Sequence, residues 1–242
     1  MLMKMIRSRC PGNAPYDRRK AVAHTSSSFR QCITKACQTL VLFFGVVVGP
    51  AVHAGIYEDF FLAVKRDRPA AVERILARGF DVNSPDPEGQ LALHLALRDD
   101  LHQVAMVLLD APGVDIDAPN AQGETPLMIA AIRGSLEWCQ RLVHIGAKVN
   151  RSGWAPLHYA ASSPDPRTIG FLLDEGAWID APGPNGTTAL MMAAGYGSQE
   201  AVGLLLARGA NATLRNHLGL SARDFARRSG RDWLVRLLPD DR

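Results

Sequence analysis

"GETPLMIAA", residues 123–131, decides how the chain is read. A Gly, a Thr-Pro pair and a run of small and medium apolar residues fill nine positions, and the frame recurs. It appears before as Gly89-Gln90-Leu91-Ala92-Leu93-His94-Leu95-Ala96. It appears after as Gly153-Trp154-Ala155-Pro156-Leu157-His158-Tyr159-Ala160, Gly186-Thr187-Thr188-Ala189-Leu190-Met191-Met192-Ala193 and Gly219-Leu220-Ser221-Ala222-Arg223-Asp224-Phe225-Ala226. The frame glycines are spaced by 34, 30, 33 and 33 residues. A second marker runs between them: Gly79-Phe80-Asp81-Val82-Asn83, Gly113-Val114-Asp115-Ile116-Asp117, Gly146-Ala147-Lys148-Val149-Asn150, Gly176-Ala177-Trp178-Ile179-Asp180 and Gly209-Ala210-Asn211-Ala212. Two markers in one period of about 33 residues describe an array of stacked units rather than one closed core.

The chemistry of one unit, 118–150, predicts its shape. Thr125 is placed to cap a helix whose first turn accepts Pro126, because no N–H is needed there. Leu127, Ala130 and Ala131 share one face at helical spacing. Arg133-Gly134 ends this short helix. Leu136, Cys139, Leu142 and Val143 form the stripe of a second helix, closed by Gly146 in a left-handed conformation. Lys148-Val149-Asn150 is short and extended. Each unit therefore reads as helix, turn, helix and a β-hairpin finger. Neither helix can bury its stripe alone. Stacking buries both, and Ala130-Ala131, Ala160-Ala161 and Ala193-Ala194 let neighbouring pairs approach closely.

The frame G-x-T-P-L-H-x-A, nearly whole at 123–130 and 153–160, and G-A-x-V-N at 146–150 resemble the ankyrin repeat family over about residues 55–238. The resemblance implies an all-α solenoid of helix-turn-helix units with short β-hairpin fingers. Units are expected at about 55–83, 84–117, 118–150, 151–180, 181–213 and 214–242, the first and last acting as caps. Leu91-Ala92 replaces Thr-Pro in the second unit, and Met128 and Met191 replace the His. His94 and His158 fall where the family has a His that hydrogen-bonds backbone and ties adjacent loops. In the last unit, Arg223, Arg227, Arg228, Arg231 and Arg236 surround Phe225, Trp233, Leu234 and Leu237, as expected of a solvated cap.

Residues 1–54 differ in kind. Lys4, Arg7, Arg9, Arg18, Arg19, Lys20, Arg30 and Lys35 are opposed only by Asp17. An uncharged apolar run, Thr39–Gly49, follows, and then Pro50-Ala51-Val52-His53-Ala54. A basic region, a short apolar run and small residues at the third-last and last positions are the layout of a signal peptide, cut between Ala54 and Gly55. The run is short of the roughly 20 residues a spanning helix needs, so no stable membrane anchor is expected after cleavage. An uncleaved anchor or a cytoplasmic tail is the competing reading. With export, the Ala-, Arg- and Leu-rich composition points to a bacterial periplasm. The whole chain carries 27 basic and 24 acidic residues, net +3; after cleavage 19 and 23 stay, net −4. A mildly acidic chain has no electrostatic footprint for nucleic acid. Cys10, Cys32 and Cys37 leave with the leader, so Cys139 has no intramolecular disulfide partner.

No constellation for catalysis, cofactor or metal stands out. Cys139 is the candidate nucleophile or redox centre, but it occupies the core position held by Val72, Ile169 and Val202 in other units. His144, five residues on, does not lie over it on a helix. Met106, Met128, Met191 and Met192 occupy core or core-edge positions, which excludes a copper-type cluster. Asp81, Asp86, Glu88, Asp115 and Asp117 recur along the fingers without the spacing of a calcium loop, and read as a solvated hairpin. Surface is what the sequence offers. The resemblance implies binding of another protein through finger tips and the first helices, on a concave face. Carried over by position, that face includes Asn120, Gln122, Glu124, Arg133, Trp154, Ser163, Trp178, Asn185 and Tyr196. Aromatics without core duty are frequent interface anchors; packing on adjacent loops is the alternative for them. The 30-residue spacing is a local clue: from Gly146 to Gly153 is 7 residues, against 10 in every other finger. A shortened finger predicts a notch flanked by Trp154 and Trp178. The expectation is a monomeric, non-enzymatic, exported protein-binding module, with a Cys139-centred redox role or a secreted effector or immunity protein as alternatives.

Overall fold

A computed structural model describes residues 50–238. The chain divides into two units, Met1–His53 and Ala54–Arg242. The first lies, but for Pro50–His53, outside the described residues, and with it the apolar run and three cysteines of the expected leader. The described part carries six helix pairs. They are α1 Pro50–Lys65 and α2 Pro69–Leu76; α3 Ala92–Arg98 and α4 His102–Leu109; α5 Pro126–Arg133 and α6 Leu136–His144. Then come α7 Pro156–Ala160 and α8 Arg167–Asp174; α9 Ala189–Tyr196 and α10 Gln199–Ala207; α11 Ala222–Arg228 and α12 Asp232–Val235. Helix α1 runs through the expected cleavage position, Ala54–Gly55.

Each pair packs on the next: α3 on α5, α5 on α7, α7 on α9, α9 on α11 along one side, and α2 on α4, α6 on α8, α8 on α10 along the other. The shared core is continuous. Leu93, Leu127, Leu157 and Leu190, one from each of the first four frames, are buried, as are Val72, Val104, Cys139, Ile169 and Val202, one from each of the first five second helices. The apolar stripes at i, i+3, i+4 thus do what stacking requires. Both marker glycines adopt left-handed backbone: Gly146, which closes α6, has φ +104, and the frame Gly123 has φ +78. A β-carbon is strained there, which is why glycine recurs at these two places.

The fingers differ from the expected β-hairpins. Among the described residues the only bridge is an isolated pairing of Pro85 with Leu91. Each regular finger is instead one tight turn. The frame Gly N–H donates to the carbonyl three residues back (Gly89 to Asp86, Gly123 to Asn120, Gly186 to Gly183, Gly219 to Asn216, each 2.8 Å). One further rung closes the turn, as from Asn120 N–H to Glu124 O at 2.9 Å. A single rung is too short for strands, and Pro85, Pro119, Pro182 and Pro184 remove donors a ladder would use.

The solvated-hairpin reading of the finger acids also needs correction at Asp86. Asp86, Asn120 and Asn216, each three before a frame Gly, are buried. Their side-chain oxygens accept the N–H groups two and four residues on: for Asn120, Gln122 at 3.0 Å and Glu124 at 2.9 Å. These are Asx turns, in which the side chain substitutes for a second strand.

Candidate partner-binding face

Neighbouring units are tied at three levels. At the finger bases, the Asn or Asp ending each of the first four second markers accepts a backbone N–H of the next marker. Asp115 donates to Asn83 Oδ1 at 2.9 Å, Lys148 to Asp117 Oδ1 at 2.9 Å, Trp178 to Asn150 Oδ1 at 2.9 Å and Asn211 to Asp180 Oδ1 at 3.0 Å. Under the fingers, His94 Nε2 bonds Glu124 O at 2.8 Å. His158 Nε2 bonds Ala181 O at 2.9 Å and Thr187 O at 3.1 Å, while its Nδ1 accepts the Ala155 N–H at 3.2 Å. That set requires the neutral tautomer with hydrogen on Nε2. Burial is the main cause holding both imidazoles below their ordinary pKa, against the opposing carbonyl bonds. Both histidines therefore have the backbone-tying role the family resemblance implied. Where Met128 replaces the His, its Sδ accepts the Thr125 N–H at 3.4 Å, so the thioether reproduces one of the imidazole's bonds.

The third level, at the finger tips, explains the short finger. After a regular frame Gly, the next side chain meets the Asx residue of the following finger: Asn120 Nδ2 donates to Gln90 Oε1 at 3.1 Å, and Asn216 Nδ2 to Thr187 Oγ1 at 3.5 Å. Glu124 has no such neighbour, because the next finger lacks those three residues. Its carboxylate instead receives Asn120 Nδ2 at 3.1 Å and the Tyr159 hydroxyl at 3.3 Å. Burial, with the Glu124 charge beside it, pushes the Tyr159 phenol up. Arg151 reaches back to Gly123 O at 3.0 Å, replacing a finger-to-finger backbone bond such as Ala121 N–H to Gly89 O. On the other side of the gap Trp154 takes the Gln90 place, and Gly183 the Asx place. A β-carbon on Gly183 would lie 3.1 Å from the indole. Trp154 also stands edge-on to His158, with centroids 5.3 Å apart. A polar pair has become an aromatic ring on a glycine.

The nine residues expected on the binding face separate accordingly. Asn120 and Glu124 are buried in the turn network, and Ser163 is buried with its hydroxyl on Asp165 O at 3.0 Å. These three do not present side chains to a partner; family position alone gave no sign of their internal bonds. Gln122 is exposed and accepts from Gln90. Arg133, ending α5, is exposed. Asn185 is half-buried, its Oδ1 accepting from Thr187 N–H at 3.2 Å, and Tyr196 is half-buried at the end of α9. Trp154 is half-buried as described. Trp178 is 62% exposed, although Asn150 pins its backbone. Sequence reasoning missed Arg151, Tyr159 and Gln90; the 30-residue spacing was the available signal that something near them must compensate. Among the described residues no group of His, Cys, Asp or Glu is arranged to hold a metal ion. Cys139 is fully buried and burial pushes its thiol up to about 12, so the reactive thiolate is not formed at neutral pH. None of the described helices is long and apolar enough to cross a membrane.

The family model for ankyrin repeats (3 copies) matches residues 60–152, 107–183 and 149–216. The chain is 36% identical over 145 residues to the nuclear factor NF-kappa-B p105 subunit of Mus musculus, covering 57% of this chain and 15% of that one. It is 28% identical over 214 residues to SH3 and multiple ankyrin repeat domains protein 2 of Homo sapiens, covering 83% and 11%. It is 33% identical over 138 residues to the putative palmitoyltransferase ZDHHC13 of Danio rerio, covering 54% and 21%. It thus spans about a fifth or less of each relative's length. Ankyrin repeats are protein-interaction modules, and proteins built from them are in general non-enzymatic scaffolds. With six stacked helix pairs, both glycine markers and matches running from residue 60 to 216, the chain belongs to the ankyrin-repeat family.

Proposed function

We propose that the chain is an exported, monomeric, non-enzymatic module that binds another protein, and that Trp178 beside the short finger anchors the contact. The observation carrying this reading is Trp178 itself: an indole 62% exposed on a backbone held by Asn150. A rigid, amphipathic side chain loses little entropy on burial, which favours it as an anchor. Trp154 lies across the same gap but is committed to Gly183 and His158, so the two tryptophans have different work. Export rests on the leader's basic, apolar and Val-x-Ala layout; the compartment proposed is the periplasm of a bacterium.

The test uses a photoreactive amino acid placed at 178, and separately at Arg228 as a control, in cells of the native host. A single adduct formed at 178 and absent at 228 supports the reading. Equal or no adducts place the interface elsewhere. N-terminal sequencing of the same material tests export: a start at Gly55 is expected, and a chain retaining residues before 40 in the cytosol refutes it.

A further inference from the structure

The first helix pair has an outer face on which no other described unit packs. There α1 presents Asp59, Leu62, Ala63 and Arg66, and α2 with its last turn presents Ala71, Arg74, Ile75 and Arg78. Each set is spaced i, i+3, i+4, i+7, so each is one stripe of its helix. The two stripes line a groove of about 280 Å³, joined by Arg68 from the turn between the helices. Leu62, Ala63, Ala71 and Ile75 supply apolar lining, and Leu62 is 45% exposed.

The rim carries four arginines against one carboxylate, Asp59. Arg74 Nε donates to Ala70 O at 3.1 Å. The side chains of Arg66, Arg68 and Arg78 make no ion pair or hydrogen bond among the described residues. Internal pairs are not left so: α5, for example, is packed between α3 and α7. An apolar strip between two helices, bordered by unneutralised guanidinium groups, has the shape and charge to receive a third helix.

Charge decides among occupants. The leader, with eight basic residues and one acidic, lacks the charge to complement an arginine rim. The same face of a second copy would set arginines against arginines. The opposite cap carries Arg223, Arg227, Arg228, Arg231 and Arg236, so head-to-tail stacking is disfavoured too. We propose that this groove docks an amphipathic helix of a partner protein, its apolar stripe flanked by Asp or Glu. The surface is separate from Trp178 and does not depend on that residue's role.

The probe is a pair of fluorescein-labelled synthetic helices with the same leucine stripe, one flanked by Glu and one by Lys, titrated with the full chain by fluorescence anisotropy. The Glu helix is expected to bind, the Lys helix not, and raised salt to weaken the binding. Arg68→Glu with Arg78→Glu should lower affinity by about tenfold or more and reverse the preference; Arg66→Glu serves as a second variant, and Arg228→Glu should change nothing. Circular dichroism checks that each variant is folded. The proposal is overturned if the Glu helix binds no better than the Lys helix, or if the reversals leave its affinity unchanged. It is overturned equally if anionic phospholipid vesicles or duplex DNA, and not the Glu helix, bind in a way the reversals abolish.

Discussion

Replacing His158 tests whether buried imidazoles hold the array together. His158 binds three backbone groups, the Ala155 N–H, Ala181 O and Thr187 O. Two of them belong to the next unit's finger. His158→Ala leaves the buried Ala155 N–H without a partner, strips the half-buried Ala181 O of its bond, leaves Thr187 O only the Gly183 N–H, and opens a cavity. An unsatisfied buried group costs about 1–3 kcal/mol, and truncating a large buried side chain adds a cavity term. With partial relaxation the total should be about 3–5 kcal/mol. His94→Ala should cost about 2–3 kcal/mol, because His94 makes one bond, to Glu124 O, and its Nδ1 has no partner. His158→Met should cost only about 1–2 kcal/mol, since Met128 shows that a thioether accepts the N-cap N–H in this frame. Urea denaturation gives the stabilities. Hydrogen exchange locates the damage, which nearest-neighbour coupling confines to the finger at 181–188 and the units beside it. The reasoning is refuted if His158→Met is as damaging as His158→Ala, or if protection is lost evenly along the array.

The same two histidines set a pH dependence. Their folded pKa values lie below the ordinary one, so the unfolded chain binds protons more readily; stability is complete above about pH 6.5 and falls below it by up to about 1.4 kcal/mol per pH unit for each His until the folded state titrates. Denaturation midpoints at several pH values check this, and a slope unchanged in the His94→Met, His158→Met double variant would assign it to other groups. Cys139→Val should be tolerated within about 1.5 kcal/mol and Cys139→Ser should cost about 1–3 kcal/mol; the wild-type thiol should resist a disulfide reagent until urea unfolds the chain, and rapid labelling of the native protein would revive the redox alternative. A β-carbon at Gly197 would lie 2.1 Å from Ala161 O and 2.9 Å from Ala193 Cα, whereas one at Gly203 meets nothing within 4 Å. Thermal melts should therefore show Gly197→Ala destabilising by about 3 kcal/mol or more and Gly203→Ala, inside α10, stabilising by about 0.5–1 kcal/mol. Trp154→Ala should lower stability by about 2 kcal/mol while Trp178→Ala stays within about 0.5 kcal/mol; equal effects would erase the distinction between a packed and a presented tryptophan.

What the sequence made legible, and what it hid, follows from the range of each interaction. Helix pairs and the core position of Cys139 were readable because each unit carries its apolar stripe locally and the next unit repeats it; the period amplifies a local signal. How far the fingers pair was not legible, because the extended Lys148-Val149-Asn150 type of segment looks alike whether it forms a ladder or one rung. The decisive residue was Asx three before the frame Gly, present at Asp86, Asn120 and Asn216 and absent at Gly183. That single exception is the trace of a contact spanning about thirty residues of sequence. Trp154 fills the space that an Asx side chain would occupy, so residue 183 must lack one. In the opposite direction Glu124, deprived of a following finger tip, is satisfied by Tyr159, and Gly123 O by Arg151. Three missing residues have thus been answered at four positions, Arg151, Trp154, Tyr159 and Gly183, in two units. Such compensation argues that the shortened finger is built into the packing rather than a loose deletion. It leaves Trp178 as the aromatic beside the gap whose indole no repeating bond consumes. In an array where most polar groups at the finger tips and bases are engaged by the neighbouring unit, the side chains that escape the period are the ones with surface to offer.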